Sequence, residues 1–181
     1  ALIKQQERDN TLELIFADYC PDSDNLPFIS DIKYIIIDHH NERVINAMLK
    51  TSWVVTNALN DRNIPVNKYS GAMLTALWAN HVLSEFYPNN LFAMENLIHT
   101  VSKTEAIFSK DNYVALLHRL GESLEIIENI SDYDTWTLQH KESPAIYNGM
   151  GVYAASFGWD IEALSRLLFE SKFNKEILYS Y

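Results

Sequence analysis

Two short apolar runs in the first quarter of the chain each end on an aspartate. The run LELIFAD ends at Asp18 and leads into the turn-rich residues YCPDSDN, and the run IKYIIID ends at Asp38. Apolar runs of this length, the second of them rich in β-branched residues, predict strands that are buried on both faces of a sheet. Because ligands bind at the carboxyl ends of parallel strands, we expect the two aspartates to meet in one crevice.

Helical periodicity dominates the rest of the chain. Ser70 precedes GAMLTALWANHVLSEFY and is predicted to cap that helix. The stretch YVALLHRLGESLEIIENI is also predicted to be helical, with a break near Gly121. Residues 43–60 fit either one helix or a helix followed by a short strand at Trp53 to Thr56. Further helices are predicted at residues 1–8, 90–101 and 160–173.

This arrangement of strands and helices predicts an α/β fold with a mainly parallel sheet flanked by helices. The glycine-containing stretch SPAIYNGMGVYAASFG is predicted to be a flexible boundary. Residues 1–147 are therefore assigned to one domain. Residues 148–181 are assigned to a linker and a C-terminal helical segment, which would open a second domain.

Composition narrows the classes of protein that fit this pattern. Of the 181 residues, 48% are hydrophobic, which is enough for a folded core. The net charge of −10 argues against long duplex DNA as a partner, because duplexes are held by clustered Lys and Arg, but it allows nucleotides and short oligonucleotides. The single cysteine, Cys20, excludes an internal disulfide, and no apolar run is long enough to span a membrane. A cytoplasmic location without membrane contact is expected.

Candidate metal ligands collect beside turns at three places. They are Asp18, the Asp38-His39-His40 tripeptide, and Asp132 with Asp134 in ISDYDTW. Carboxylates with one or two imidazoles suit Mn²⁺ or Mg²⁺, with Fe²⁺ and Zn²⁺ as alternatives. Asp18 alone is more simply a turn or cap residue, and DYDTW alone is more simply a turn. The order and spacing of all three favour a metal site that acts on phosphoryl groups.

These segments resemble the motifs of the DHH phosphoesterase superfamily, which is named for the tripeptide found here at residues 38–40. ADYCP resembles its second motif, IIIDHH its third and SDYDTW its fourth, while YSGAML resembles a Ser-Gly-Ala segment of its short, nanoRNase-like and oligoribonuclease-like members. The resemblance covers about residues 1–168. It implies a DHH-type, Rossmann-like phosphoesterase domain that hydrolyses phosphodiester bonds of short oligonucleotides or dinucleotides with two Mn²⁺ ions, Mg²⁺ being the alternative.

The same resemblance implies which residues hold the ions. Asp18 would bridge both ions, and His39 and Asp134 would complete the shell of one of them. Asp132 is the second choice for the ligand in the fourth motif. Asp38 would orient the neighbouring ligand.

The substrate side of the predicted site is less fully specified. His40 would contact the substrate phosphate, and Ser70 and His140 are additional candidates. His140 is more simply an exposed loop residue. Packing is also favoured over base stacking for the aromatic residues after the fourth motif, namely Tyr133, Trp136, Tyr147, Tyr153, Phe157 and Trp159.

The sequence departs from the family at the first motif, which has two aspartates followed by Gly and a helix. ALIKQQ resembles the helix that follows this motif, so upstream residues that supply it are the favoured explanation, with a degenerate homologue as the alternative. Two other functions stay open, an inorganic pyrophosphatase and a non-catalytic nucleotide-binding or interaction module. The expected ligand is a short single-stranded oligonucleotide, a dinucleotide or another phosphoester, and a homodimer is an open alternative to a monomer.

Overall fold

The computed structural model describes residues 14–22, 34–40, 54–55, 69–86, 104–156, 158 and 160. The chain divides into two compact units, residues 1–116 and 117–181. The described strands are β1 (Leu14–Ala17), β2 (Tyr34–Ile37) and β3 (Val54–Val55), and the described helices are α1 (Gly71–Phe86), α2 (Thr104–Ile107), α3 (Lys110–Leu120), α4 (Glu122–Asp134) and α5 (Ser143–Ser156). The helices predicted at residues 1–8 and 90–101, the helical part of 43–60, and all of the helix predicted at 160–173 except Asp160 lie outside the described residues.

The described strands form one parallel sheet in the order β1-β2-β3, so the chain has a mixed α/β fold. All four residues of β2 are buried, as its apolar run predicts. The prediction that β1 is buried is wrong, because Leu14 and Ile15 are 36% and 41% exposed. Among the described strands, β1 lies at an edge of the sheet, where its side chains are covered less completely than those of β2.

Helix α1 packs against β1 and β2, and its apolar residues Leu74, Leu77 and Trp78 are buried. The predicted cap is confirmed, because the Met73 N–H donates to Ser70 Oγ at 3.3 Å. This bond satisfies one of the amide groups that the first turn of a helix leaves without a partner. The cap fixes the start of α1 at Gly71, which lies beside the end of β1.

A buried amide pair ties α1 to α2 and α3 within the first unit. The Asn80 Nδ2 group donates to Asn112 Oδ1 at 2.8 Å, and the Asn112 Nδ2 group donates to the carbonyls of Leu77 and Ile107 at 2.9 and 2.7 Å. Each bond joins groups that would otherwise be buried without a partner, at a cost of about 1–3 kcal/mol each. The pair therefore fixes the position of α1, the helix that begins at Gly71, relative to α2 and α3.

In the second unit, the predicted break at Gly121 is confirmed. Gly121 has φ +53° between α3 and α4, a left-handed conformation that glycine adopts without strain. The prediction of a flexible boundary at residues 143–158 is wrong, because α5 is continuous from Ser143 to Ser156 and packs on α4. Pro144 falls in the first turn of α5, where proline is compatible with a helix. Within the described ranges, no helix has both the length and the apolarity needed to cross a bilayer.

Candidate metal centre

Four side chains meet at the carboxyl ends of β1 and β2. One ligand atom from each of Asp18, Asp38, His39 and His40 lies within 4.8 Å of the other three. Asp18 directly follows β1, and the other three residues directly follow β2. The structure therefore brings together the two strand-ending aspartates that the sequence pattern places in one crevice, with both histidines beside them.

The backbone of Asp18 turns out of the sheet immediately after its last ladder bond. Its N–H donates to the carbonyl of Ile37 at 2.8 Å, and its φ of +56° lies in the left-handed region, which aspartate adopts more readily than most non-glycine residues. The side chain is 48% exposed. Asp18 is thus anchored to β2 by its backbone while its carboxylate reaches the surface of the crevice.

Gly71 lies directly against Asp18, at a position where there is no space for a side chain. A Cβ atom at position 71 would overlap the Asp18 side chain and would lie 2.6 Å from Asp18 Cα. The Gly71 N–H, in the first turn of α1, also donates to the Asp18 carboxylate. The absence of a side chain at position 71 therefore lets the positive end of a helix approach a metal-ligand candidate directly.

Several neighbours set the charge of Asp18. The imidazole of His39, whose Nε2 lies 3.3 Å from Asp18 Oδ1, lowers the pKa of the carboxyl. Partial burial raises this pKa, while electrostatic attraction to His39 and His40 and the Gly71 amide lower it further. The net effect is a lowered pKa, so Asp18 is a carboxylate at neutral pH.

Asp38 positions both histidines from below the surface. It is fully buried, and its Oδ1 atom accepts hydrogen bonds from the His39 N–H at 2.8 Å, the His40 N–H at 3.4 Å and His40 Nδ1 at 2.7 Å. Because Nδ1 of His40 is engaged, its Nε2 is the ring nitrogen left for another ligand, and the side chain is 57% exposed. Asp38 therefore presents His40 to the solvent with its ring orientation fixed.

The residues present fit a hard divalent cation. Their donors are carboxylate oxygens and imidazole nitrogens, which Mn²⁺ and Mg²⁺ accept, Mg²⁺ favouring oxygen. In addition, Asp38 Oδ2 is buried and has no hydrogen-bond partner within the described part of the chain. A buried carboxylate oxygen without a donor is costly unless a cation or an ordered water molecule lies beside it.

Asp132, in the second unit, is a buried carboxylate that accepts several hydrogen bonds. Its Oδ1 atom accepts bonds from Thr137 Oγ1 at 2.6 Å and the Gln139 N–H at 2.8 Å. Its Oδ2 atom accepts bonds from the His140 N–H at 3.0 Å and the Ser143 hydroxyl. Burial raises the pKa of Asp132, but these four hydrogen bonds outweigh burial and hold it well below the ordinary value of 3.8. Both oxygens of Asp132 therefore already have protein partners.

The remaining predicted residues have these positions. Asp134 is the last residue of α4 and is partly exposed, and the assignment of Asp134 to the shell of a shared ion stays a prediction. His140 is exposed between α4 and α5, and Ser70 is buried as the cap of α1. Cys20 is buried, with its Sγ 3.6 Å from the Pro21 carbonyl.

Two features of the structure were not predicted from the sequence. One is that Asp18 is the close neighbour of Gly71, since the sequence predicts only that Gly71 lets the start of this helix pack closely. The other is the hydrogen-bonded carboxylate of Asp132, where the signal is an aspartate followed by Thr137 and Ser143, residue types that pair locally with carboxylates and backbone. Each feature depends on a contact between two segments, and the local pattern of neither segment predicts that contact.

No protein-family model, curated protein or solved structure matches the chain.

Proposed function

We propose that this protein is a metal-dependent phosphoesterase with a DHH-type, Rossmann-like domain, which hydrolyses phosphodiester bonds of short oligonucleotides or dinucleotides. The observation that carries this proposal is the convergence of Asp18, Asp38, His39 and His40 within 4.8 Å at the ends of two adjacent parallel strands. The chain order of the ADYCP, IIIDHH, YSGAML and SDYDTW segments supports it. A cytoplasmic location and a short single-stranded substrate belong to the same proposal.

In this proposal, Asp18 and His39 hold the metal ions, and Asp134 is added on motif resemblance alone. Bound Mn²⁺ or Mg²⁺ would acidify water and stabilise negative charge on the phosphoryl oxygens. Asp18 contributes a carboxylate that is ionised at neutral pH, since its neighbours lower its pKa. Asp38 keeps the His39 backbone and the His40 ring in place through its Oδ1 atom.

His40 is the candidate phosphate contact. Nδ1 of His40 is engaged by Asp38 Oδ1 at 2.7 Å, so Nε2 is the nitrogen left for a substrate. An N–H at Nε2 would donate to a phosphoryl oxygen, while the contact with Asp38 keeps the ring oriented toward the solvent. Asp38 is thus a positioning residue, and His40 is the residue that touches substrate.

The first test compares the wild-type full-length protein with Asp18→Asn in Mn²⁺-dependent hydrolysis of a short oligoribonucleotide. We expect Asp18→Asn to lower kcat/KM by about a hundredfold or more, because the amide is a weaker ligand and carries no charge. Asp22→Asn is the matched control, since Asp22 is exposed and is not part of the cluster. It should change kcat/KM by less than about twofold.

Two results would contradict the proposed function. Hydrolysis of inorganic pyrophosphate with no cleavage of oligoribonucleotide or dinucleotide would identify a pyrophosphatase. Nucleotide binding that needs no Mn²⁺ and is unchanged in Asp18→Asn, together with no hydrolysis of either substrate, would identify a non-catalytic binding module.

A further inference from the structure

The loop at residues 135–142, between α4 and α5, exposes two large apolar side chains. Trp136 is 74% exposed and Leu138 is 50% exposed. Trp136 contradicts the expectation that the aromatic residues after the fourth motif are packed, and Tyr147, at 39% exposed, contradicts it in part. Phe157 and Trp159 lie outside the described residues, whereas Tyr153 is buried as expected.

The backbone of this loop is held in an uncommon conformation. Trp136 and Leu138 have φ values of +56° and +47°, in the left-handed region, which has an energetic cost for residues with large side chains. Asp132 offsets this cost. Its backbone carbonyl accepts the N–H groups of Thr137 and Leu138, and its carboxylate accepts the N–H groups of Gln139 and of His140. The fold therefore fixes the loop in the conformation that exposes Trp136.

Trp136 is the outermost ring of an aromatic row formed by Trp136, Tyr133 and Tyr147. The ring centroids of Trp136 and Tyr133 are 5.8 Å apart with planes inclined by 27°, and those of Tyr133 and Tyr147 are 4.5 Å apart with planes inclined by 31°. Tyr133 contacts both of the other rings and supports the indole. The row thus leaves most of the indole surface available to a flat ligand.

Charge limits which ligand this row would take. The chain carries a net charge of −10, and in the loop the exposed His140 and Lys141 are followed by the exposed Glu142. Attraction to phosphate groups is therefore a weak source of affinity here. Stacking on an aromatic ring needs no net positive charge and accepts every base, because each base has a π face.

The geometry points to a stacking site for a nucleobase of a short single strand, with Trp136 as the ring that contacts the base. Its ligand class rests on the proposed function. Its binding step is independent of the metal centre, because the aromatic row contains no residue of the Asp18 cluster. Tyr133 is a positioning residue that supports the indole, and Asp132 holds the loop.

The experiment measures binding of a short oligoadenylate by fluorescence anisotropy, with EDTA present so that hydrolysis does not contribute. Trp136→Leu keeps an apolar side chain without a π face, and we expect it to weaken binding by about tenfold or more. Trp136→Phe should weaken binding less. Leu117→Ala, which changes a residue that is 45% exposed outside the loop, is the control and should bind as the wild type does.

Two further measurements separate stacking from other sources of affinity. An abasic strand of the same length should bind at least about tenfold more weakly, and the affinity for oligoadenylate should change little with salt concentration. The binding assay in EDTA does not depend on hydrolysis, so a failed hydrolysis assay leaves this test intact. The inference is overturned if Trp136→Leu binds as the wild type does, if the abasic strand binds equally well, or if Trp136→Leu changes the oligomeric state and leaves nucleotide affinity unaltered.

Discussion

Replacing Gly71 with alanine is expected to displace Asp18 and to remove most of the Mn²⁺ affinity proposed for the candidate metal centre. The new Cβ atom would lie 2.6 Å from Asp18 Cα, too close for any side-chain rotation to relieve, so the start of α1 or the end of β1 must shift. The shift would also break the hydrogen bond from the Gly71 N–H to the Asp18 carboxylate. We expect Mn²⁺ affinity, measured by isothermal titration calorimetry, to fall by about tenfold to a hundredfold.

Ala72→Ser is the control for this substitution. Ala72 is the next residue in the first turn of α1, but its side chain is exposed. The serine variant should retain Mn²⁺ affinity and the wild-type melting temperature. Unchanged Mn²⁺ affinity in Gly71→Ala would show that Asp18 is not held at the cluster by its contact with α1.

Asp132→Asn is expected to destabilise the second unit by about 2–4 kcal/mol. The carboxylate accepts four hydrogen bonds, two of them from backbone N–H groups that cannot reverse direction. The asparagine NH₂ group would face one of those donors, which leaves buried groups without partners. The free energy of unfolding, measured by urea denaturation and followed by fluorescence, should show the loss.

Ser143→Ala removes one donor and keeps the carboxylate, so it should cost less than Asp132→Asn. Asp22→Asn, at an exposed position, should change stability by less than about 0.5 kcal/mol. Equal stability of Asp132→Asn and the wild type would mean that these bonds do not hold the 135–142 loop.

The stabilisation by Asp132 should also depend on pH in one direction. Folding lowers the pKa of Asp132 from 3.8, so its contribution is fully present above the unfolded-state value. As the pH falls below that value, the unfolded chain takes up a proton before the folded chain does, and the contribution decreases. The stability difference between wild type and Asp132→Asn should therefore be constant near neutral pH and become smaller below about pH 4.

The sequence was most informative where one segment determines its own structure. The apolar runs before Asp18 and Asp38 predict strands, and Ser70 and Gly121 mark helix boundaries, because capping and left-handed turns depend on local residue types. Parallel pairing of the strands then brings both aspartates to the same edge of the sheet. This part of the candidate centre follows from local patterns and one rule of sheet geometry.

The features that escaped prediction arise from contacts between segments. The glycines of α5 indicate a flexible stretch by local propensity, yet Gly149 is buried within a helix that packs on α4. The exposure of Trp136 follows from a buried aspartate whose donors lie five to eleven residues later in the chain. The propensity of a single residue does not predict this exposure, because the exposure depends on the path of the loop and not on the residue type.

The buried strand β2 has a consequence for how the sheet avoids misaligned pairing. All four of its residues are buried and apolar, so a shift of one residue would exchange one apolar side chain for another and meet little resistance in the interior. The aligned pairing differs from a shifted one at the polar end of the strands. There the Asp18 N–H donates to the Ile37 carbonyl, and Gly71 leaves space for the turn that follows. Asp18, which is proposed to bind metal, would then also help to keep β1 and β2 in the aligned pairing.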